Sequence, residues 1–78
     1  MFTLLKRFDP EEHVNRWYMV AVQPTLLEET AVICSWGSRE NDYQRMKIIP
    51  MANLTEAEAL AAKIVNAKLK RGYEPISP

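Results

Sequence analysis

The chain has 78 residues, 47% hydrophobic and 26% charged, with ten basic and ten acidic side chains that cancel. That length implies one domain, 1–78, with a modest core, and the mixture is that of a folded globular chain rather than a disordered one. Zero net charge argues against a generic polyanion binder but leaves a local basic patch open, while the lone Cys34 and lone His13 exclude a disulfide framework, a cysteine-based zinc site and a His-pair metal site.

At the start, Lys6 and Arg7 follow a very short apolar segment, the reverse of the order in a signal peptide. No run approaches the ~20 apolar residues of a membrane span. The expected setting is a reducing cytoplasm, with no membrane partner. Residues 2–8 read as extended, and Asp9-Pro10-Glu11-Glu12 as a polar turn, because Pro10 biases Asp9 away from helix. Arg16 to Gln23 is rich in aromatic and β-branched residues. It predicts a strand with Trp17, Met19 and Ala21 on one face and Tyr18, Val20 and Val22 on the other. Pro24 to Glu29 reads as a loop, Thr30 to Trp36 as a strand, and Gly37 to Asp42 as the turn that follows. Tyr43 to Ile49 predicts a half-exposed strand, with Arg45 and Lys47 on one side, Met46 and Ile48 on the other, and Pro50 ending it.

A helix over 55–71 follows. Thr55 and Glu58 have the spacing of a capping box. Ala57, Leu60, Ala61, Ile64, Val65 and Leu69 recur at helical spacing. Glu56 and Glu58 near the start and Lys68, Lys70 and Arg71 near the end suit the helix dipole. Gly72 stands just past the end, where a left-handed backbone favours glycine. Tyr73 to Ile76 reads as a short edge segment and Ser77-Pro78 as a loose tail. Strands followed by one helix predict an α+β fold: an antiparallel sheet of four to five strands with the helix packed on one face.

Catalysis has little to work with. Ser35 and Ser38 need a nearby base to act as nucleophiles. His13 lies in a turn, Cys34 lies mid-strand, and the adjacent acids Glu11-Glu12 and Glu28-Glu29 do not face a common point. With Gly37 and Gly72 as the only glycines, there is no glycine-rich phosphate loop. Binding is better served. Trp36, Arg39, Tyr43, Arg45 and Lys47 fall within twelve residues. Aromatic and cationic groups around one turn can stack on a base or sugar and meet phosphate. The same residues have a purely structural reading, with Trp36 a core plug and Arg45 and Lys47 wetting the open face of a strand. Lys63, Lys70 and Arg71 offer a second basic surface on the helix, or simply its solvated face.

The order of these features resembles the WGR domain family, named for a Trp-Gly-Arg triplet at a strand end. "LLKRFDPEEHVNRWYMVAVQPTL" resembles its opening strands, "TAVICSWGS" the strand leading into the triplet, and "AEALAAKIVNAKLKRGYEP" its closing helix. Trp36 and Gly37 match the first two letters; the third is Ser38, and the glycine usual two residues later is Glu40. Members occur within poly(ADP-ribose) polymerases, in bacterial regulators and as stand-alone bacterial proteins. In the polymerases the domain contacts DNA at a strand break, with the motif Trp against the sugar at the broken end. The resemblance implies a binding module without catalytic activity or cofactor. The expected nucleic-acid-binding residues are Trp36, Gly37, Arg39, Arg45 and Lys47, with DNA ends as the partner. The alternative is a protein-interaction module that has lost the DNA contact. The oligomeric state stays open.

Overall fold

A computed structural model of the chain describes residues 1–76; the reading of Ser77-Pro78 as a loose tail falls outside the described residues. The elements are β1 (Phe2–Asp9), β2 (Val14–Gln23), β3 (Ala31–Ser38), β4 (Gln44–Pro50), α1 (Leu54–Lys70) and β5 (Glu74–Pro75). The strands form one five-stranded sheet in the order β4-β3-β2-β1-β5, and every neighbouring pair is antiparallel. The α+β expectation therefore holds, down to the short edge strand after the helix.

Local chemistry sets the connections. Between β1 and β2 the Asp9 carboxylate accepts from the amides of Glu11 and Glu12 at 3.2 and 3.3 Å. His13 closes that turn with a left-handed backbone, φ 56°. Between β2 and β3 the Thr25 hydroxyl accepts from the amides of Leu27 and Glu28. Both are side-chain turns of the kind Asp and Thr favour. The helix ends as its sequence predicts. Gly72 has φ 95°, its amide bonds to the Leu69 carbonyl, and the Tyr73 amide bonds to that of Lys68, which satisfies carbonyls the helix leaves open.

The start of the helix differs from expectation. Thr55 is not the cap. The cap is Asn53, whose Oδ1 accepts from the Glu56 amide at 2.8 Å. Asn53 has an extended backbone and the right reach, so it pre-empts the Thr55–Glu58 pair two residues later. The helix consequently begins at Leu54.

The helix lies on one face of the sheet, over β2 and β3. Ala57 and Ala61 are fully buried and let the helix axis approach Val20, Val22, Val32 and Cys34. Leu60, Ile64 and Val65 flank them. Val20 and Val32 are wholly excluded from water, each contributing about 1.5–3 kcal/mol. Leu69, expected on this stripe, is exposed. The stripe Ala57, Ala61, Ile64 continues one helical step later at Lys68, whose side chain is half-buried.

The opposite face of the sheet carries no helix. Strand register places two rows across it: Phe2, Ala21, Ile33 and Ile48, then Leu4, Met19, Ser35 and Met46. Phe2, Met46 and Ile48 there are exposed.

Candidate functional site

The Trp-Gly-Ser triplet forms the end of β3, rather than straddling the strand and the turn after it. β3 runs through all three residues, and the turn begins at Arg39. Three bonds make this extension. The Ser38 amide donates to the Tyr43 carbonyl at 3.0 Å. The Glu40 amide donates to the Ser38 hydroxyl at 3.0 Å, and the Tyr43 amide donates to Asn41 Oδ1 at 2.8 Å. A polar run that reads as a six-residue turn is thus partly strand.

Alternation along β3 sends Trp36 and Ser38 to the helix side and the Gly37 position to the other. Gly37 is needed there for space rather than for an unusual backbone. A Cβ on it would lie 2.9 Å from Trp17 Nε1 and would collide with the Tyr43 carbonyl oxygen. Trp17 is its cross-strand partner, and its indole occupies the space a side chain at Gly37 would need. Of the two tryptophans, Trp17 is thus the one that seats against the motif glycine. Trp36 is half-buried on the helix side.

On that side Tyr18 is the cross-strand partner of Trp36. The rings stack with centroids 5.8 Å apart and planes 11° from parallel. Tyr73, just past the helix, meets Tyr18 edge-on at 6.2 Å. Lys68 Nζ lies 4.3 Å from the Tyr18 centroid and 5.7 Å from that of Tyr73, a cation–π seat. Burial and the neighbouring Arg71 pull the Lys68 ammonium below the ordinary lysine range, with Cys34 opposing. Burial first, then the Cys34 thiol and Tyr73, push the Tyr18 phenol well above its ordinary value.

The helix ends over Tyr18 and leaves the next cross-strand row open. An open concavity of about 760 Å³ results, with Tyr18, Trp36, Ser38, Lys68, Tyr73 and Arg16 on its helix side. Of the residues picked from sequence for binding, Trp36, Gly37 and Tyr43 line it. Arg45 and Lys47 are on the same side of the sheet as Trp36, because Arg45 pairs with Trp36 and Lys47 with Cys34. They do not wet the uncovered face; Met46 and Ile48 occupy that instead. Arg45 Nε donates to the Tyr43 hydroxyl at 3.2 Å, and its guanidinium carbon lies 5.8 Å from that ring. Arg39 stands apart in the exposed turn, its amide bonded to the Asn15 carbonyl. Reading the residues one by one missed Tyr18, Tyr73 and Lys68. Tyr18 had a signal, since it shares a face with Val20 and Val22. Lys68 also had one, eleven residues after Ala57 on the buried stripe. Among the described residues no cluster of metal-ligating side chains occurs.

A one-helix, five-stranded antiparallel domain with an interior Trp-Gly strand, and with an aromatic stack and cations at the end the helix leaves open, defines a small α+β module. The chain belongs to the WGR domain family, whose model matches residues 1–78. It is 27% identical over 71 residues to a protein of Sinorhizobium fredii (strain NBRC 101917 / NGR234) described as "Uncharacterized protein y4dW", an alignment covering 91% of this chain and 34% of that protein. The chain thus spans about a third of the length of that relative. No solved structure matches the chain. Among the described residues no helix is long and apolar enough to cross a membrane.

Proposed function

We propose that this domain is a non-catalytic module that binds nucleic acid, and DNA ends in particular, at the open end of its helix-bearing face. The observation that carries the reading is the Tyr18–Trp36 stack at the lip of the concavity, with Lys68 over the tyrosine and Arg45 across from the tryptophan. A half-buried, pre-stacked indole is a rigid platform for a terminal sugar or base. Such stacking is worth about 1–3 kcal/mol per base. Arg45, Lys47 and Arg39 meet phosphates around it, and membership of the WGR family supports the assignment. Neutral net charge makes the interaction local rather than a long-range field.

The test is binding of fluorescent blunt, nicked, single-stranded and circular DNA at low salt. Affinity for end-bearing DNA should fall as salt rises, because phosphate contacts release counterions. Trp36→Ala should weaken binding by about 1–3 kcal/mol. If neither end-bearing nor circular DNA binds at low salt, the reading is wrong.

The opposite face favours a second reading, a protein partner. Two cross-strand rows there are uncharged, and Phe2, Met46 and Ile48 are exposed among them. An apolar sheet face of this kind is a docking surface for another polypeptide. Recovery of one stoichiometric, nuclease-resistant partner that is lost on Met46→Lys would select it.

A further inference from the structure

The register of the sheet places a second feature beside the stack. Ser38 pairs directly with Arg16 on β2, and Arg16 pairs in turn with Arg7 on β1. All three side chains project on the helix side, in the cross-strand row just beyond Leu5, Tyr18 and Trp36. Like charges directly opposite one another weaken a sheet, so two adjacent arginines here call for something negative between or above them. Two carboxylates at this end already have partners, although Glu40 lines the concavity itself. Asp9 accepts from the amides of Glu11 and Glu12, and Glu40 accepts from the Asn15 side chain at 3.4 Å. Arg7 is half-buried, its Nε about 3.5 Å from where a side chain at Gly72 would begin. That holds it against the helix C-terminus, a favourable place for a cation. Arg16 is exposed and lines the concavity together with Trp36 and Ser38.

We propose that Arg16 is the phosphate-binding residue of this concavity, delivering from β2 the guanidinium that the triplet lacks at Ser38. The ligand class is a phosphate ester of a nucleic-acid strand whose adjoining sugar or base rests on Trp36. The inference rests on the nucleic-acid reading above. Its physical basis is that side chains of directly paired residues stand about 4.5–5.5 Å apart at Cβ. An arginine is long enough to span that gap, so one on either strand serves the same point above the sheet. The guanidinium fork then holds phosphate in a bidentate, charge-assisted contact. Arg7 is held at the helix C-terminus and Lys68 sits over Tyr18, which leaves Arg16 as the exposed cation of this row.

The experiment measures affinity for a blunt, 5′-phosphorylated DNA hairpin by fluorescence anisotropy over a range of salt concentrations. It compares wild type, Arg16→Ser, Trp36→Ala and the double variant Arg16→Ser/Ser38→Arg, each checked for an unchanged melting transition. Arg16→Gln keeps the side-chain bulk and replaces Arg16→Ser if that variant melts early. Loss of Arg16 should weaken binding on the order of tenfold and reduce the salt slope by about one counterion. The double variant should recover both. An Arg16 variant with wild-type affinity and slope, alongside a defective Trp36→Ala, overturns the inference and leaves the nucleic-acid reading standing. A double variant that stays weak overturns the claim that the two positions serve one phosphate. Wild type that binds none of the DNA overturns the nucleic-acid reading itself, and this inference with it.

Discussion

Gly37→Ala tests whether the middle residue of the motif acts through folding. The added methyl would sit 2.9 Å from Trp17 Nε1, 3.1 Å from Trp17 Cε2 and in collision with the Tyr43 carbonyl oxygen. Neither neighbour yields easily. That carbonyl accepts from the Ser38 amide at 3.0 Å, so moving it stretches the bond that extends β3 past the glycine. Trp17 is fixed by strand register opposite Gly37. Overpacking of this kind costs about 1–3 kcal/mol, and loss of one backbone hydrogen bond about 0.5–1.5 kcal/mol. The sum, roughly 1.5–4.5 kcal/mol, corresponds to a melting point lower by about 6–36 °C for a domain of this size. Thermal unfolding followed by circular dichroism, with the near-ultraviolet tryptophan bands as a second probe, measures it. A variant melting within about 2 °C of wild type would show that the turn relaxes freely, and the packing account of the motif glycine would be wrong. A confirmed loss has a practical consequence: Gly37 variants that fail to bind report on folding before they report on a ligand.

Two further outcomes follow from the same geometry. Asn53→Ala should destabilise the domain by about 1 kcal/mol while Thr55→Ala stays near neutral, as read from denaturant midpoints, because Asn53 alone makes the capping bond at the first turn; equal effects would restore Thr55 as cap. An absorbance titration should show a phenol ionising well above the usual value near 10, and Tyr18→Phe should remove that step. The folded phenol is held in its neutral form, so its contribution is complete below the unfolded value near 10 and is lost as pH rises from there toward the folded one. Stability of wild type relative to Tyr18→Phe should therefore decline above pH 10 or so, and a flat difference would contradict the burial assigned to that ring.

Several residues were legible because their signals are local. Alternation fixed both faces of β2. The Gly72 stop also came from neighbours within a few positions, as did the helical stripe as far as Val65, whereas the half-exposed strand expected at β4 is exposed on both faces from Gln44 to Ile48 because it is the sheet edge. Errors arose where two local signals competed. Asn53 and Thr55 are both good caps two residues apart, and only the path of the chain out of β4 selects between them. The polar Gly37–Asp42 run reads as a turn, yet side chains of Ser38 and Asn41 fold it tightly enough for β3 to extend through Ser38.

The amino-acid order by itself determined the α+β class, the element sequence and the presence of a Trp-Gly strand flanked by cations, since periodicity and turn chemistry act over a few residues. Tertiary structure alone decided which face each functional side chain occupies and what it meets there. Strand pairing brought Tyr18 to Trp36, Trp17 to Gly37 and Arg16 to Ser38, contacts between residues about twenty apart in the chain. It also put Arg45 and Lys47 on the helix side and left Met46 and Ile48 uncovered. The reason is that a one-residue shift in register exchanges the two faces of a strand, and register is fixed by the packing of the whole sheet against the helix.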